Sequence, residues 1–197
     1  MTTTFFLVRH ATHDRVGRIL CGRMPGVSLG EQGRREAARL ADRFSGSRLA
    51  AIWTSPLERA RETADPIASR CDLAAETCDG ITEIDFGAWT GQSFESLSDD
   101  PEWVRWNESR GSSRPPGGET MQQVQSRMLS AMESLRRRYG EASVLLVSHG
   151  DVIKAAILYH LGLSLDHYGR FDIDPASIST LVLGDWGSRL LRLNEAV

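Results

Sequence analysis

Cysteine is scarce in this chain and badly spaced for metal chemistry. Cys21, Cys71 and Cys78 form no Cys-x-x-Cys doublet, and three thiols cannot all pair. They fit reduced thiols in a cytoplasmic protein better than a disulfide or zinc framework. Long apolar runs are missing as well. The run Phe5-Phe6-Leu7-Val8 is far too short for a span, and Met1-Thr2-Thr3-Thr4 carries no basic segment, so neither a signal peptide nor a membrane anchor is expected. Positive charge is not in surplus: a net charge of −3 over 197 residues argues against nucleic acid or an anionic membrane as partner. No internal repeat and no biased linker divides the chain, so one domain, 1–197, is expected. Any positive potential must therefore be local, collected inside a pocket.

What the chain does have is short buried-type strands alternating with helical patterns. Residues 4–8, Leu49–Trp53 and Ser143–Val147 are apolar runs of strand length. Ile178–Leu183 and Arg189–Leu193, joined by Gly184-Asp185-Trp186-Gly187-Ser188, read as a C-terminal hairpin. Glu31–Phe44 places Ala37, Leu40, Ala41 and Phe44 on one helical face. Pro56–Ser69 is expected to start on Ser55 as N-cap with Pro56 at the first helical position, and to kink or end at Pro66. Glu119–Tyr139 and Asp151–Leu161 complete the helices. Such alternation predicts an α/β three-layer sandwich, a mainly parallel sheet with helices on both faces. Residues 80–118 break the pattern. They hold Trp89, Trp103 and Trp106 among glycine and proline turns, which suggests a small irregular cap insertion whose tryptophans form its core or an apolar wall for a ligand.

Two strands end on histidine. Leu7-Val8-Arg9-His10 and Val147-Ser148-His149-Gly150 bring two of only five histidines to strand carboxyl ends, where open α/β sheets bind ligands. Arg59 follows a third strand near the start of a helix, where free N–H groups already favour anions and a guanidinium adds a planar fork for phosphate oxygens. Arg61, two residues on, faces elsewhere. Cleavage of a phosphate ester also needs a proton for the leaving oxygen. Glu83 and Asp85, alternating with apolar residues in Ile81-Thr82-Glu83-Ile84-Asp85-Phe86, are the candidate acids; Glu119 is another, or simply opens the long helix. Arg136-Arg137-Arg138 complements the end of that helix, and His160 and His167 read as structural.

Taken in order, Leu7-Val8-Arg9-His10, the segment Ser55-Pro56-Leu57-Glu58-Arg59-Ala60-Arg61-Glu62-Thr63-Ala64, Glu83-Ile84-Asp85-Phe86-Gly87-Ala88-Trp89-Thr90-Gly91, Pro116-Gly117-Gly118-Glu119-Thr120 and Ser148-His149-Gly150 resemble the histidine phosphatase superfamily, in its phosphoglycerate-mutase-like branch. The resemblance covers nearly the whole chain. It implies that His10 takes the phosphoryl group on an imidazole nitrogen and that Arg9, Arg59 and His149 hold its oxygens. It also implies that Glu83 protonates the leaving group and then activates water, with no metal and no cofactor.

The chain departs from that pattern at Ala11, where glycine is usual, and at Thr12, commonly acidic. An alanine is compatible with negative φ and disfavoured at positive φ. The loop Thr12–Cys21 is shorter than usual and lacks an asparagine; His13, Arg15 and Arg18 stand there, and one of the arginines, or Arg23, is expected to contact substrate alongside Glu119. A small phosphorylated metabolite is the expected substrate. The resemblance also leaves open phosphoglycerate-mutase-type transfer, although only Arg105, Arg110 and Arg114 supply cations to the insertion. Further alternatives are a metal-dependent phosphoesterase using His10, His13, Asp14, His149 and Asp151, and a non-catalytic phospho-ligand sensor. Oligomeric state is not legible.

Overall fold

A computed structural model describes all 197 residues. Six strands make one sheet in the order β3-β2-β4-β1-β5-β6, with β1 at Thr2–Arg9, β2 at Leu49–Thr54, β3 at Ala75–Thr77, β4 at Ser143–Ser148, β5 at Ile178–Gly184 and β6 at Gly187–Glu195. Strands β1 to β4 run parallel; β5 and β6 add an antiparallel edge, the expected C-terminal hairpin. The short strand β3 is the one element of the sheet that the apolar pattern does not reveal, because its three residues are half-buried or exposed at an edge.

Alternation along the strands separates two cores. Phe5, Leu7, Val144 and Leu146 face α5 (Met121–Tyr139) and α6 (Gly150–His160). Val8, Ile52, Leu145 and Val147 face α1 (Glu31–Phe44) and α2 (Glu58–Arg70). Each fully buried side chain of this kind contributes about 1.5–3 kcal/mol by leaving water, so a slip of one residue in register would turn both layers against the fold. Two short helices, α3 (Phe94–Leu97) and α4 (Pro101–Glu108), lie between β3 and α5, and their Leu97 and Trp106 join the α5–α6 core. No helix is long and apolar enough to cross a membrane.

Three helix boundaries differ from expectation. Helix α2 begins at Glu58, with Leu57 as its N-cap and Pro56 still outside. Ser55 makes only a 3.4 Å contact from the Leu57 N–H, because its hydroxyl is used elsewhere. Pro66 sits inside the helix, which continues to Arg70. Helix α5 begins after Glu119: Thr120 and Gln123 form a reciprocal capping box that satisfies the first free N–H groups.

Gly33 is the point where α1 meets the loop after β1. A Cβ there would lie 1.9 Å from the Thr12 carbonyl oxygen. Replacing a helical glycine by alanine ordinarily stabilises by about 0.5–1 kcal/mol. Here the sign reverses: Gly33→Ala is expected to lower unfolding free energy in urea by about 1–3 kcal/mol through overpacking against rigid backbone. A stabilised variant would mean that helix and loop can separate freely.

Candidate active site

Three parallel strand ends build the site. The β1–β4 register sets Arg9 against Ser148 and continues as a hydrogen bond from the His10 N–H to the Ser148 carbonyl (2.9 Å). On the other side of β4, Ser55 donates its N–H to Val147 at 2.9 Å. His10 and His149 consequently meet with ring centroids 5.1 Å apart, and His13 stacks on His10 at 5.4 Å.

The hydrogen bonds specify the tautomers. The Ala11 carbonyl lies 2.9 Å from His10 Nδ1 and can only accept, so Nδ1 carries the proton and Nε2 keeps its lone pair. Burial, then the charges of Arg59 and Arg9, hold His10 well below the ordinary imidazole pKa, so it is neutral at physiological pH. His149 is fully buried. Its Nδ1 accepts from Arg59 Nη2 at 3.3 Å, and its Nε2–H donates to Ser55 Oγ at 2.8 Å. Burial and Arg59 depress its pKa too. His13 accepts from the Arg15 N–H through Nδ1 (3.3 Å), which leaves Nε2–H as a donor, and burial with Arg59 lowers its pKa to about 4.

The arginines are only partly satisfied. Arg59 spends Nη2 on the Gly22 carbonyl (2.7 Å) and on His149, while its Nε and Nη1 are buried without partners. Arg9 gives Nη1 to the Ile173 carbonyl (2.6 Å), and its Nε is also buried and unpaired. Arg59 is the second residue of α2, closer to the helix start than a full turn, and Arg61 is exposed as expected. A relay from the Ala11 N–H to Thr63 Oγ1 (2.9 Å) and from that hydroxyl to the Arg59 carbonyl (2.7 Å) ties loop to helix. Ala11 is fully buried and is not among the residues with positive φ, so the missing glycine costs no backbone strain.

Glu83 lines the same cleft, of about 390 Å³, as Arg9, His10, His13 and Arg59. One carboxylate oxygen accepts from the Ile84 N–H at 2.9 Å, and the other is 3.8 Å from His149 Nδ1. Burial, with the nearby charge of Asp151, raises its pKa to about 7 against the opposing pull of Arg59. Asp85 instead caps the turn at Gly87 (2.9 Å). Glu119 lies behind Glu83 and receives Arg23 (2.8 Å) and Arg127 (2.8 and 3.1 Å); both arginines also donate to the Glu83 carbonyl, at 2.7 and 3.2 Å. Arg23 and Glu119 thus brace the acid from outside the cleft. Arg15 and Arg18 are exposed and bond Met24 Sδ and the Asp14 carbonyl, so the loop presents His13 to the cleft and turns its arginines outward.

The cleft has further walls, of which Trp103, Arg110 and Asp151 are legible in the sequence and Phe94, Asn107, Lys154, Tyr168, Asp172 and Asp174 are not. Phe94, Trp103, Asn107 and Arg110 come from the 80–118 segment, and Asp151, Lys154, Tyr168, Asp172 and Asp174 from α6 and the turns after it. Trp103 alone of the three central tryptophans lines the cleft; Trp89 and Trp106 are core. Ser55 was legible as a helix cap but not as the partner of His149, since that contact joins residues 94 apart in sequence. No three His, Cys, Asp or Glu side chains converge on a common ligating point.

Comparison with known proteins agrees with this geometry. The profile of the histidine phosphatase superfamily (branch 1) matches residues 5–196. Phosphoserine phosphatase 1 of Hydrogenobacter thermophilus is 34% identical over 192 residues, 95% of this chain and 90% of that one. "Probable phosphoglycerate mutase GpmB" of Klebsiella pneumoniae is 32% identical over 177 residues, 88% and 82% of the two chains. The phosphoserine phosphatase of Entamoeba histolytica, solved with phosphoserine, superposes with a TM-score of 0.88 at 26% identity, covering 98% of this chain and 96% of that one. With two histidines and one arginine at its strand ends, a second arginine at the start of α2, and a match along almost its entire length, the chain belongs to the histidine phosphatase superfamily, in the branch that includes the phosphoglycerate-mutase-like proteins.

Proposed function

We propose that this protein is a phosphatase of small phosphorylated metabolites that works through a phosphohistidine on His10. The observation that carries the reading is the set of buried, unpartnered cationic donors, Arg9 Nε and Arg59 Nε and Nη1, beside a neutral imidazole with a free Nε2. An unpaired buried charge is costly, by more than about 1–3 kcal/mol per group, and a phosphoryl group supplies the oxygens that would pair it. His10 Nε2 attacks phosphorus as the ester P–O bond breaks, and Glu83 gives its proton to the departing oxygen. The phosphorylated ring keeps its Nδ1 proton, and the Ala11 carbonyl stabilises the positive charge this creates. Water then attacks phosphorus, Glu83 takes a proton from it, the P–N bond breaks, and His10 returns neutral. His149 accepts from Arg59 and packs against His10, so it orients both groups.

The 80–118 segment serves as the cap over this site. Phosphoserine, the substrate named for the Hydrogenobacter and Entamoeba relatives, is small enough for the cleft and heads the list of esters to assay. Three free thiols fit a reducing compartment such as the cytoplasm.

His10→Ala is expected to lose more than about a thousandfold in phosphate release with folding intact. Wild type quenched during turnover of a labelled ester should carry an acid-labile, alkali-stable label that the variant lacks, and EDTA should leave the rate unchanged. Turnover by the variant at the wild-type rate would end the mechanism.

The pH profile tests Glu83. Phosphoryl transfer needs Glu83 protonated and His10 neutral, so kcat/KM should fall as pH rises through about 7 and should fall on the acid side only well below 6.5. Glu83→Gln should slow the reaction by about 10²–10⁴ and abolish the alkaline limb. A limb that persists near 7 in that variant belongs to another group.

A further inference from the structure

His13 stacks on the reacting ring yet has no part in the mechanism above. It is 6% exposed, lines the cleft, and its ring lies 5.4 Å from that of His10 with the two planes only 25° apart. That separation is within the range of attractive aromatic pairs. The N–H of Arg15 reaches Nδ1 at 3.3 Å and anchors the ring to its own loop. Burial and the charges of Arg59, Arg9 and Arg15 keep it neutral against the single counter-pull of Asp14. His149 is placed differently. Its ring is tilted by 58° to His10 and both its nitrogens are spent, on Arg59 and on Ser55. Of the two imidazoles beside His10, only His13 lays a near-parallel face against it.

The value of this stack changes during the reaction. While His10 is neutral it is an ordinary contact between two aromatic rings. Once Nε2 carries the phosphoryl group and Nδ1 keeps its proton, the His10 ring is a cation, and a neutral aromatic face within about 6 Å attracts it. The fixed charges nearest that ring, Arg59 and Arg9, oppose its positive charge. The Ala11 carbonyl reaches only the Nδ1 edge, which leaves the face of the ring to His13. A protonated His13 would repel the charged ring, so its neutrality is what the role requires. An interaction stronger in the charged state than in the resting one favours the step that creates the charge.

We propose that His13 is a positioning residue that stabilises the phosphohistidine by stacking its neutral ring on the charged ring of His10. This rests on the phosphohistidine reading and adds the group that sets how long the intermediate persists. Rapid-quench measurements with a labelled phosphate ester give the rate constants for formation and breakdown of the label on the protein, and their ratio is the readout. His13→Asn keeps an N–H donor but loses the face, and should lower that ratio by about five- to thirtyfold. His13→Leu, apolar and without a π face, should fall by a similar factor. His13→Phe keeps a face and has no donor, and should hold the ratio within about twofold of wild type. Circular dichroism checks that each variant is folded; where the phenyl ring does not fit, Asn and Leu decide, and both must fall. A wild-type ratio in His13→Asn overturns the proposal by itself. So does a ratio that Asn retains and Phe loses, which would make His13 a hydrogen-bond donor to phosphate. No acid-labile label on the wild type defeats the phosphohistidine reading, whereas a label whose ratio survives every His13 variant defeats the role of His13 alone.

Discussion

Everything in the site hangs on the parallel pairing of β1 with β4. Their register runs one residue past the strands, through the hydrogen bond between His10 and Ser148, and so brings the two histidine rings into contact. Pairing of β2 on the far side of β4 delivers Ser55 beneath His149 and starts α2 where Arg59 can reach both His149 and Gly22. A strand slipped by one residue would exchange the two faces of the sheet and point these groups into opposite cores. Core packing and catalytic geometry are thus one constraint: Val8, Leu145 and Val147 cannot be buried correctly without His10 and His149 meeting.

The electrostatic consequence is a site in which environment sets the charge states of the two histidines and Glu83 apart. Burial alone would leave both histidines and Glu83 uncharged. Arg9 and Arg59 push the histidines further in that direction, while the Asp151 charge opposes the pull of those arginines on Glu83. The result is a neutral imidazole with its lone pair free and a carboxyl group that changes state near neutrality, the pair of conditions that a two-step transfer requires. In the proposed mechanism the cations act twice, keeping His10 unprotonated before substrate arrives and neutralising phosphate oxygens afterwards.

Strand ends were readable from sequence because a short apolar run announces a buried strand, and the residue after it has few places to go. That ground points to Arg9, His10, Arg59 and His149 as neighbours, which their contacts bear out, and the mainly parallel sheet follows from the same alternation. The rest of the site obeys no local rule. Arg15 and Arg18 share the substrate loop with His13, yet only the structure shows that the loop turns the histidine inward. Arg23 and Glu119 are separated by 96 residues and meet behind Glu83 through one ion pair. Ser55 carries a good helix-cap signature, but its hydrogen bond to buried His149 outweighs the cap, and α2 starts without one.

The same contrast divides the cleft into two halves with different origins. In the proposed mechanism phosphate is handled by Arg9 and His10 at a strand end and by Arg59 at the start of α2, positions that strand pairing fixes. The rest of the cleft is lined by side chains from the 80–118 segment, α6 and the turns beyond it, which are joined by contacts such as Arg110 on Tyr168 and not by the β-ladder. Glu83 lies between them. In the proposed mechanism its side chain serves the leaving oxygen and so borders both halves, and it does not rely on a strand for its position. Two arginines hold its carbonyl instead, and Glu119 holds both arginines. Because that outer clamp bonds none of the other cleft-lining side chains, the proposed acid keeps its position independently of them, the arrangement expected where one phosphoryl chemistry serves many esters.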